Sequence, residues 1–474
     1  MEYLHILPAK LGEISDFLWA MERHCNMDEH RFLVTISKNG MIKGIPGMLA
    51  FPYIECVETP KGRVIGKIRK FLWIWKRLHK ADCLIWHGLQ MANGKYAMFL
   101  WVSKKLRQKS VWIPDGPDAV SWKQLGKGWK KKFNNHVQKK VRDEIPVVGA
   151  IFGSNVAYLK EKWPDKTVVE TPYPLSEEFL QVLEQHREAF EQRWQETTLP
   201  EEVFLEEEAA HAAAEEAARL AAEEAAHAAE AEETAEEVTA EEAQEAEGEP
   251  AEEAVTEEAV VEEMVEEAAA EEEKAQALEE EEAPVELSRK KNIQIGMNSS
   301  LFCKHIPVMS HMKKHYWRRQ NIFLPMNYTI RGYSTSAGTK VYQGKVVKEA
   351  HKIWAGNRVQ QLNKSVTPAS YAAYLRQLDV AVLGSDYVLD APYFLYLLWA
   401  KVKLYMPESS KVYQYLQEQG VEVHPVTKIK KQVFSTFTGR TGREGPSEAM
   451  AWYYDRAQVM ERWNALFDYL RQTK

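Results

Sequence analysis

Cysteine is scarce in this chain of 474 residues, and Cys25, Cys56, Cys83 and Cys303 are scattered without metal-ligand spacing. That excludes a disulfide-built scaffold and a cysteine zinc site, and each thiol reads as a small core residue in a reducing cytoplasm. Long apolar runs are missing as well: no window reaches the roughly 18–20 consecutive apolar residues of a membrane-crossing helix. The opening Met-Glu-Tyr-Leu-His-Ile-Leu lacks a basic region followed by an apolar one, so no signal peptide is expected. No carboxylate–x–carboxylate metal motif stands at a strand end, which agrees with the expectation of neither metal nor cofactor.

Aspartate is absent from one long stretch, and that absence exposes the chain's organisation. From Glu201 to Pro284 the sequence holds 34 glutamates, one arginine and one lysine, a net charge of −32. The whole chain carries −8, so the other 390 residues carry +24. A basic body attracts polyanions or an anionic membrane surface. The Glu/Ala tract favours helix but has no continuous apolar stripe to bury. It is expected to be a helical or disordered insertion, acting as a solvated tether or as an arm for a basic partner.

On either side of it, short apolar runs alternate with helical patterns. Before the tract, strands are predicted at Tyr3–Leu7, Arg31–Ser37, Cys83–Trp86, Ser110–Ile113, Val147–Phe152 and Thr167–Glu170. Helices are predicted over Glu13–His24, Lys61–His79 and Lys95–Arg107. After it, strands are predicted at Asn292–Ile295, Asn321–Met326, Asp379–Leu383, Val402–Met406 and Val421–Val423. Helices there cover Gly344–Trp354, Thr367–Leu378, Asp390–Trp399, Ser409–Gln419 and Met450–Arg471. Such alternation argues two α/β units, each a parallel sheet covered on both faces, with a cleft between them. The expected division is a basic acceptor domain over 1–180, the acidic insertion over 181–288 and a nucleotide-sugar domain over 289–445. A terminal helix over 446–474 is expected to return to the first domain.

In open parallel sheets, ligands bind beyond the carboxyl ends of the strands. In the first unit those ends carry His87-Gly88, Pro114-Asp115-Gly116-Pro117-Asp118 and Gly153-Ser154-Asn155. Deprotonating a sugar hydroxyl needs a carboxylate or imidazole within hydrogen-bond reach, so Asp115, Asp118 and His87 are the candidate bases. Protonated, His87 would instead bind a diphosphate. In the second unit the ends carry Gly296-Met297-Asn298-Ser299-Ser300, Met326-Asn327-Tyr328 and Gly384-Ser385-Asp386. A glycine with small polar neighbours there lets backbone N–H groups approach a phosphate, which nominates Gly296, Asn298, Ser299, Asn327, Tyr328 and Ser385 for donor binding.

Two helical stretches of the first unit, Lys61–Lys80 and Lys123–Arg142, hold eight lysines and arginines each. In the first, apolar residues from Val64 to Leu78, including Ile68, Phe71 and Leu72, are expected to pack inward, with Trp73 and Ile74 off that stripe. The basic faces, with Lys67, Arg69, Lys70, Trp73, Lys130, Lys131 and Lys132, suit anionic headgroups or a lipid pyrophosphate.

Several segments, in order, resemble the bacterial 4-acetamido-4,6-dideoxygalactose (Fuc4NAc) transferases. They are Leu84-Ile85-Trp86-His87-Gly88, Val111-Trp112-Ile113 through Gly116-Pro117-Asp118, Ile295-Gly296 with Asn298-Ser299, Leu324-Pro325-Met326-Asn327-Tyr328, and Tyr371 through Asp379. The resemblance implies a GT-B fold, two Rossmann-like domains facing a cleft. It implies transfer of Fuc4NAc from a dTDP-sugar to a polyprenyl-pyrophosphate-linked saccharide of enterobacterial common antigen, without metal. The place it implies is the cytoplasmic face of the bacterial inner membrane, peripherally bound, with no nucleic acid as partner. Met297 ahead of Asn298, and Val388-Leu389-Asp390-Ala391-Pro392 in place of a glycine-containing helix start, depart from that family's pattern. The alternatives are a GT-B transferase with another nucleotide-sugar, or a non-catalytic membrane scaffold with a degenerate sugar site.

The composition also makes the insertion dispensable for folding, since it offers almost no apolar area and shortening a loop changes closure entropy little. Replacing 201–284 with a short Gly/Ser linker is expected to leave the thermal midpoint unchanged; insoluble protein or a collapse in stability would contradict this.

Overall fold

The computed structural model describes residues 1–7, 12–36, 52–58, 64–89, 97–114, 119, 129–197, 291–312, 320–326, 329–330, 340–354 and 358–473. The Glu/Ala tract over 201–284, Asp115, Asp118, Asn327 and Tyr328 lie outside them; of the insertion expected over 181–288, residues 181–197 are described and belong to the helices Glu177–Gln185 and Arg187–Thr197, which bury Leu183 and Phe190.

The first half is built on strands β1 (Tyr3–Leu7), β2 (His30–Ile36), β3 (Ile54–Glu58), β4 (Cys83–His87), β5 (Ser110–Ile113), β6 (Val147–Ala150) and β7 (Thr167–Glu170). They form one sheet in the order β3-β2-β1-β4-β5-β6-β7, every pairing parallel. The second half holds β8 (Lys291–Ile295), β9 (Gln320–Pro325), β10 (Thr329–Ile330), β11 (Val359–Leu362), β12 (Ser365–Val366), β13 (Val380–Val382), β14 (Lys403–Met406) and β15 (His424–Pro425). Six of these make a second parallel sheet, β11-β9-β8-β13-β14-β15, and β10 pairs with β12 apart from it. The central strands β1, β4 and β5 are buried along their whole length, as strands covered by helices on both faces must be.

The expected elements and the observed ones part at places with a local cause. The helix expected over Lys95–Arg107 is two short helices, Ala97–Val102 and Lys104–Gln108, because Ser103 is extended and its hydroxyl accepts from the Leu106 amide. The final helix divides likewise at Asp455, which caps Arg456–Gln472 after a 3-10 turn. Pairing beside β14 falls on His424–Pro425 rather than on Val421–Val423.

Three devices join the halves. The Asn155 side chain, beyond β6, donates to the Val388 carbonyl at 3.0 Å and accepts from the Val388 amide at 2.9 Å. Phe152 stacks on Tyr453 and meets Phe394 and Tyr415 edge-on, so one apolar cluster runs through both halves. The Arg456–Gln472 helix lies on the first sheet, where Trp463 donates to the Pro172 carbonyl at 2.7 Å and the Phe467 carbonyl accepts from Tyr3 at 2.9 Å.

Gly153 sits at the tightest point of this contact: a β-carbon there would lie 2.3 Å from Tyr415 Cζ and Oη. Tyr415 is wedged against Phe152 and Tyr453 and has little room to yield. Gly153→Ala is expected to cost about 1–3 kcal/mol in urea unfolding, with part recovered by Tyr415→Leu in the same chain. Wild-type stability in the single variant would show that the contact is loose.

Candidate active site

The carboxyl end of β8 turns sharply at Gly296, whose φ of +74° suits glycine. Its amide donates to the Val382 carbonyl at 2.9 Å, which ties the turn to β13. Asn298 shapes the rest of the loop: its Oδ1 accepts from the Ser300 amide at 2.9 Å and from the Cys303 thiol at 3.3 Å. The Ser299 amide donates to the Met326 carbonyl at 3.1 Å, and Ser300 Oγ caps the next turn through the Phe302 amide. A second glycine turn, Gly384-Ser385, leaves the adjacent strand β13. A β-carbon on Gly384 would lie 2.7 Å from the Cys303 carbonyl oxygen, so the two turns are in contact. Lys304, in the left-handed region at φ 48°, forms an ion pair with Asp386 and links the turns at their exposed rim.

These contacts revise the expected roles. The space facing Gly296 is filled: a β-carbon would lie 2.2 Å from His305 Nε2. The glycine is therefore required by internal fit as well as by φ, and a side chain there would disturb the turn before it met any ligand. Asn298 and Ser299 are buried, and the Asn298 carboxamide oxygen is engaged in holding the loop. Ser385 Oγ bonds the backbone of Tyr387. The polar group that the loop offers outward is Lys304, which carries no signal in the sequence pattern.

In the first half, His87 ends β4 with 1% of its surface exposed. Its Nε2 lies 3.0 Å from His5 Nδ1, and its Nδ1 lies 2.6 Å from the Tyr173 hydroxyl. Burial pushes its pKa down to about 3, so the expected role as a protonated diphosphate ligand does not fit its surroundings. His5 and His30 join the same seam, with His5 Nε2 3.1 Å from His30 Nδ1. Glu170 at the end of β7 accepts from the Tyr453 hydroxyl, and burial raises its pKa. Neither Tyr173 nor Asn155 carried a sequence signal beyond its place after a strand.

The two basic helices also differ from expectation. On Val64–Lys80, Ile74 and Leu78 are buried, whereas Ile68, Phe71, Leu72 and Trp73 are exposed. Met98 and Val102 on Ala97–Val102, and Phe133 on Trp129–Glu144, are exposed too. Ring contacts between Phe71 and Phe99 at 4.4 Å and between Trp101 and Phe133 at 5.5 Å knit the helices side by side. Arg69 and Lys132 are exposed and Lys70 half-buried around them; the side chains of Lys67, Lys130 and Lys131 lie outside the described residues. No helix among the described residues is long and apolar enough to cross a membrane.

No protein-family model matches the chain, and no curated protein matches it. Solved structures do. A sucrose-phosphate synthase from Thermosynechococcus elongatus superposes with a TM-score of 0.51 at 10% identity, covering 100% of both chains. HepE from Anabaena, solved with UDP and glucose, gives a TM-score of 0.50 at 9% identity over 99% of each chain. At this identity the likeness is one of fold, and the fold is GT-B: two Rossmann-like domains built on parallel sheets.

The buried histidines give a pH signature. Burial lowers His5, His30 and His87, with His30 brought to about 4 and His87 to about 3, and it lowers His305 to about 4. The unfolded chain binds these protons near pH 6.5 and the folded chain does not. Stability is therefore complete above that pH and falls as pH drops toward 4, by about 1.4 kcal/mol per pH unit for each ring. Urea midpoints are expected to be flat from pH 7 to 8 and to fall steeply from 6.5 to 5. A flat profile across the lower range would contradict the burial.

Proposed function

We propose that this chain is a glycosyltransferase that moves a sugar from a nucleotide-sugar held at the Gly296 and Gly384 turns to an acceptor carried by the first half. The observation that carries the reading is the joining of two parallel sheets through loops at their carboxyl ends, where Asn155 and Val388 meet. Ligands of such sheets bind at that edge. HepE, of the same fold, was solved with UDP and glucose. Departure of a nucleoside diphosphate builds negative charge, which backbone N–H groups and a cation stabilise. Lys304 supplies the cation, released from Asp386 when the donor arrives.

The ordered resemblance to the Fuc4NAc transferases supports a finer reading: a dTDP-sugar as donor, Fuc4NAc as the sugar, and a polyprenyl-pyrophosphate saccharide as acceptor. The exposed apolar side chains Ile68, Phe71, Leu72 and Trp73, with Met98, Val102 and Phe133, stand on three helices that ring contacts knit into one surface. Ringed by lysine and arginine, it suits an anionic bilayer at the cytoplasmic side of the inner membrane, apolar groups inserted and cations at the headgroups.

Two measurements test this. dTDP is expected to raise the thermal midpoint, since a ligand of the native state at 100 times its Kd adds about 2.7 kcal/mol. Lys304→Ala is expected to weaken dTDP binding about tenfold. Vesicles of phosphatidylglycerol and phosphatidylethanolamine are expected to sediment the protein, and Phe71→Glu with Leu72→Glu to abolish this. No shift with dTDP or any other nucleoside diphosphate would remove the donor site; unchanged sedimentation would remove the membrane face.

A further inference from the structure

We infer that His30, His5, His87 and Tyr173 form a proton relay through the first half, from the ligand-binding edge of its sheet to the opposite edge. The role in transfer rests on the glycosyltransferase reading; the coupling of the four groups does not.

The geometry is head to tail. Tyr173 Oη meets His87 Nδ1 at 2.6 Å, His87 Nε2 meets His5 Nδ1 at 3.0 Å, and His5 Nε2 meets His30 Nδ1 at 3.1 Å. Every link between rings pairs the Nε2 of one with the Nδ1 of the next. A neutral imidazole has one donor and one acceptor nitrogen. The unbroken chain therefore has only two states: all three rings carry hydrogen on Nε2, or all three carry it on Nδ1. A mixed state sets two N–H groups, or two lone pairs, against each other in a buried site.

The path has direction. His87 is the last residue of β4, His5 the middle of β1 and His30 the first of β2 in a parallel sheet, so the chain descends from the carboxyl to the amino edge. Tyr173 follows β7 by three residues, at the carboxyl edge. The flanking helices present rings to the seam: Phe17 from Gly12–His24, and Trp463 and Phe467 from Arg456–Gln472. Among the described residues, the charged groups that act on the seam are Glu29, Arg31 and Arg471, on His30. Burial disfavours an imidazolium on any of the three rings.

Proton transfer then balances without a charged ring. The acceptor oxygen bonds the anomeric carbon, and the donor's C–O bond breaks with its electron pair leaving on the diphosphate. The acceptor's proton passes to the Tyr173 oxygen as Tyr173 gives its own to His87 Nδ1. His87 passes its Nε2 proton to His5 Nδ1, and His5 passes its own to His30 Nδ1. His30 releases its Nε2 proton to water at the amino edge of the sheet. Tyr173 is the catalytic residue of this step; the histidines act through it.

The test uses the full chain labelled with ¹⁵N-histidine. At pH 7 the long-range ¹H–¹⁵N spectra are expected to show His5, His30 and His87 neutral and in one shared tautomer. Tyr173→Phe is expected to move all three populations together, although His30 does not touch Tyr173. Mixed tautomers, or His5 and His30 unmoved by Tyr173→Phe, would overturn the relay. His5→Gln keeps a donor and an acceptor but cannot pass a proton. With dTDP-Fuc4NAc and a polyprenyl-diphosphate disaccharide, its kcat is expected to fall about 10- to 100-fold at unchanged donor KM. Wild-type kcat in folded His5→Gln protein would equally overturn it; should that variant fail to fold, Tyr173→Phe serves in the same assay. If the wild-type protein transfers no sugar, the glycosyltransferase reading falls, and the tautomer spectra still uphold or overturn the coupling.

Discussion

The approach of Gly153 to Tyr415 is the contact on which the rest of this structure depends. With Tyr415 in place, a β-carbon at residue 153 would lie 2.3 Å from its ring, so the glycine lets the turn after β6 press against the helix Lys411–Glu418. Once it does, Asn155 reaches Val388, Phe152 enters a ring cluster of the second half, and the Gly153 amide finds the Tyr453 hydroxyl at 2.8 Å. The loops beyond the first sheet are thereby held against those beyond the second. The final helix completes the arrangement by carrying Trp463 and Phe467 back over β1 and β4.

Several buried polar groups of the described residues are held in defined networks. Asp379, wholly buried, accepts from the Asn292 amide at 2.8 Å and pairs with Arg193 at 3.2 Å, joining the helix before the Glu/Ala tract to the strand region after it. Lys403 is satisfied by the carbonyls of Thr436 at 2.7 Å and Gly439 at 2.9 Å. The histidine seam is the same economy with a different result, since imidazoles satisfy one another only in register.

Most of the fold was legible because buried parallel strands write themselves as unbroken apolar runs: Val380-Ala381-Val382 and Ser110–Ile113 stand out without help. The edge strands β3 and β11 did not. Ile-Glu-Cys-Val-Glu and Val-Gln-Gln-Leu face water on one side and look like loop. Helix-breaking caps at Ser103 and Asp455 were visible as residue types, yet periodicity outweighed them. At the site, the glycine turns were found by position after a strand, whereas their reason, His305 against Gly296, is a contact between residues nine apart that no pattern reports. Lys304 stands out only through its left-handed backbone and its ion pair with Asp386, neither of which a sequence pattern reports. The apolar stripe of the first basic helix is legible only in part: Leu78 is buried and Trp75 half-buried as expected, but Ile68, Phe71 and Leu72 are exposed and Ile74, off the stripe, is buried. Asp115, Asp118, Asn327 and Tyr328 remain sequence expectations.

The central claim is that a nucleotide-sugar is held at the carboxyl edge of the second sheet, against the first half. Hydrogen–deuterium exchange of the full chain with and without saturating dTDP tests it most directly. The account predicts slowed exchange in peptides covering Gly296–Lys304 and Leu383–Tyr387, with Phe152–Asn155 slowed less and the amino edge around Asp379 unchanged. Protection confined to the first sheet, or none at the two glycine turns while dTDP is bound, would contradict it.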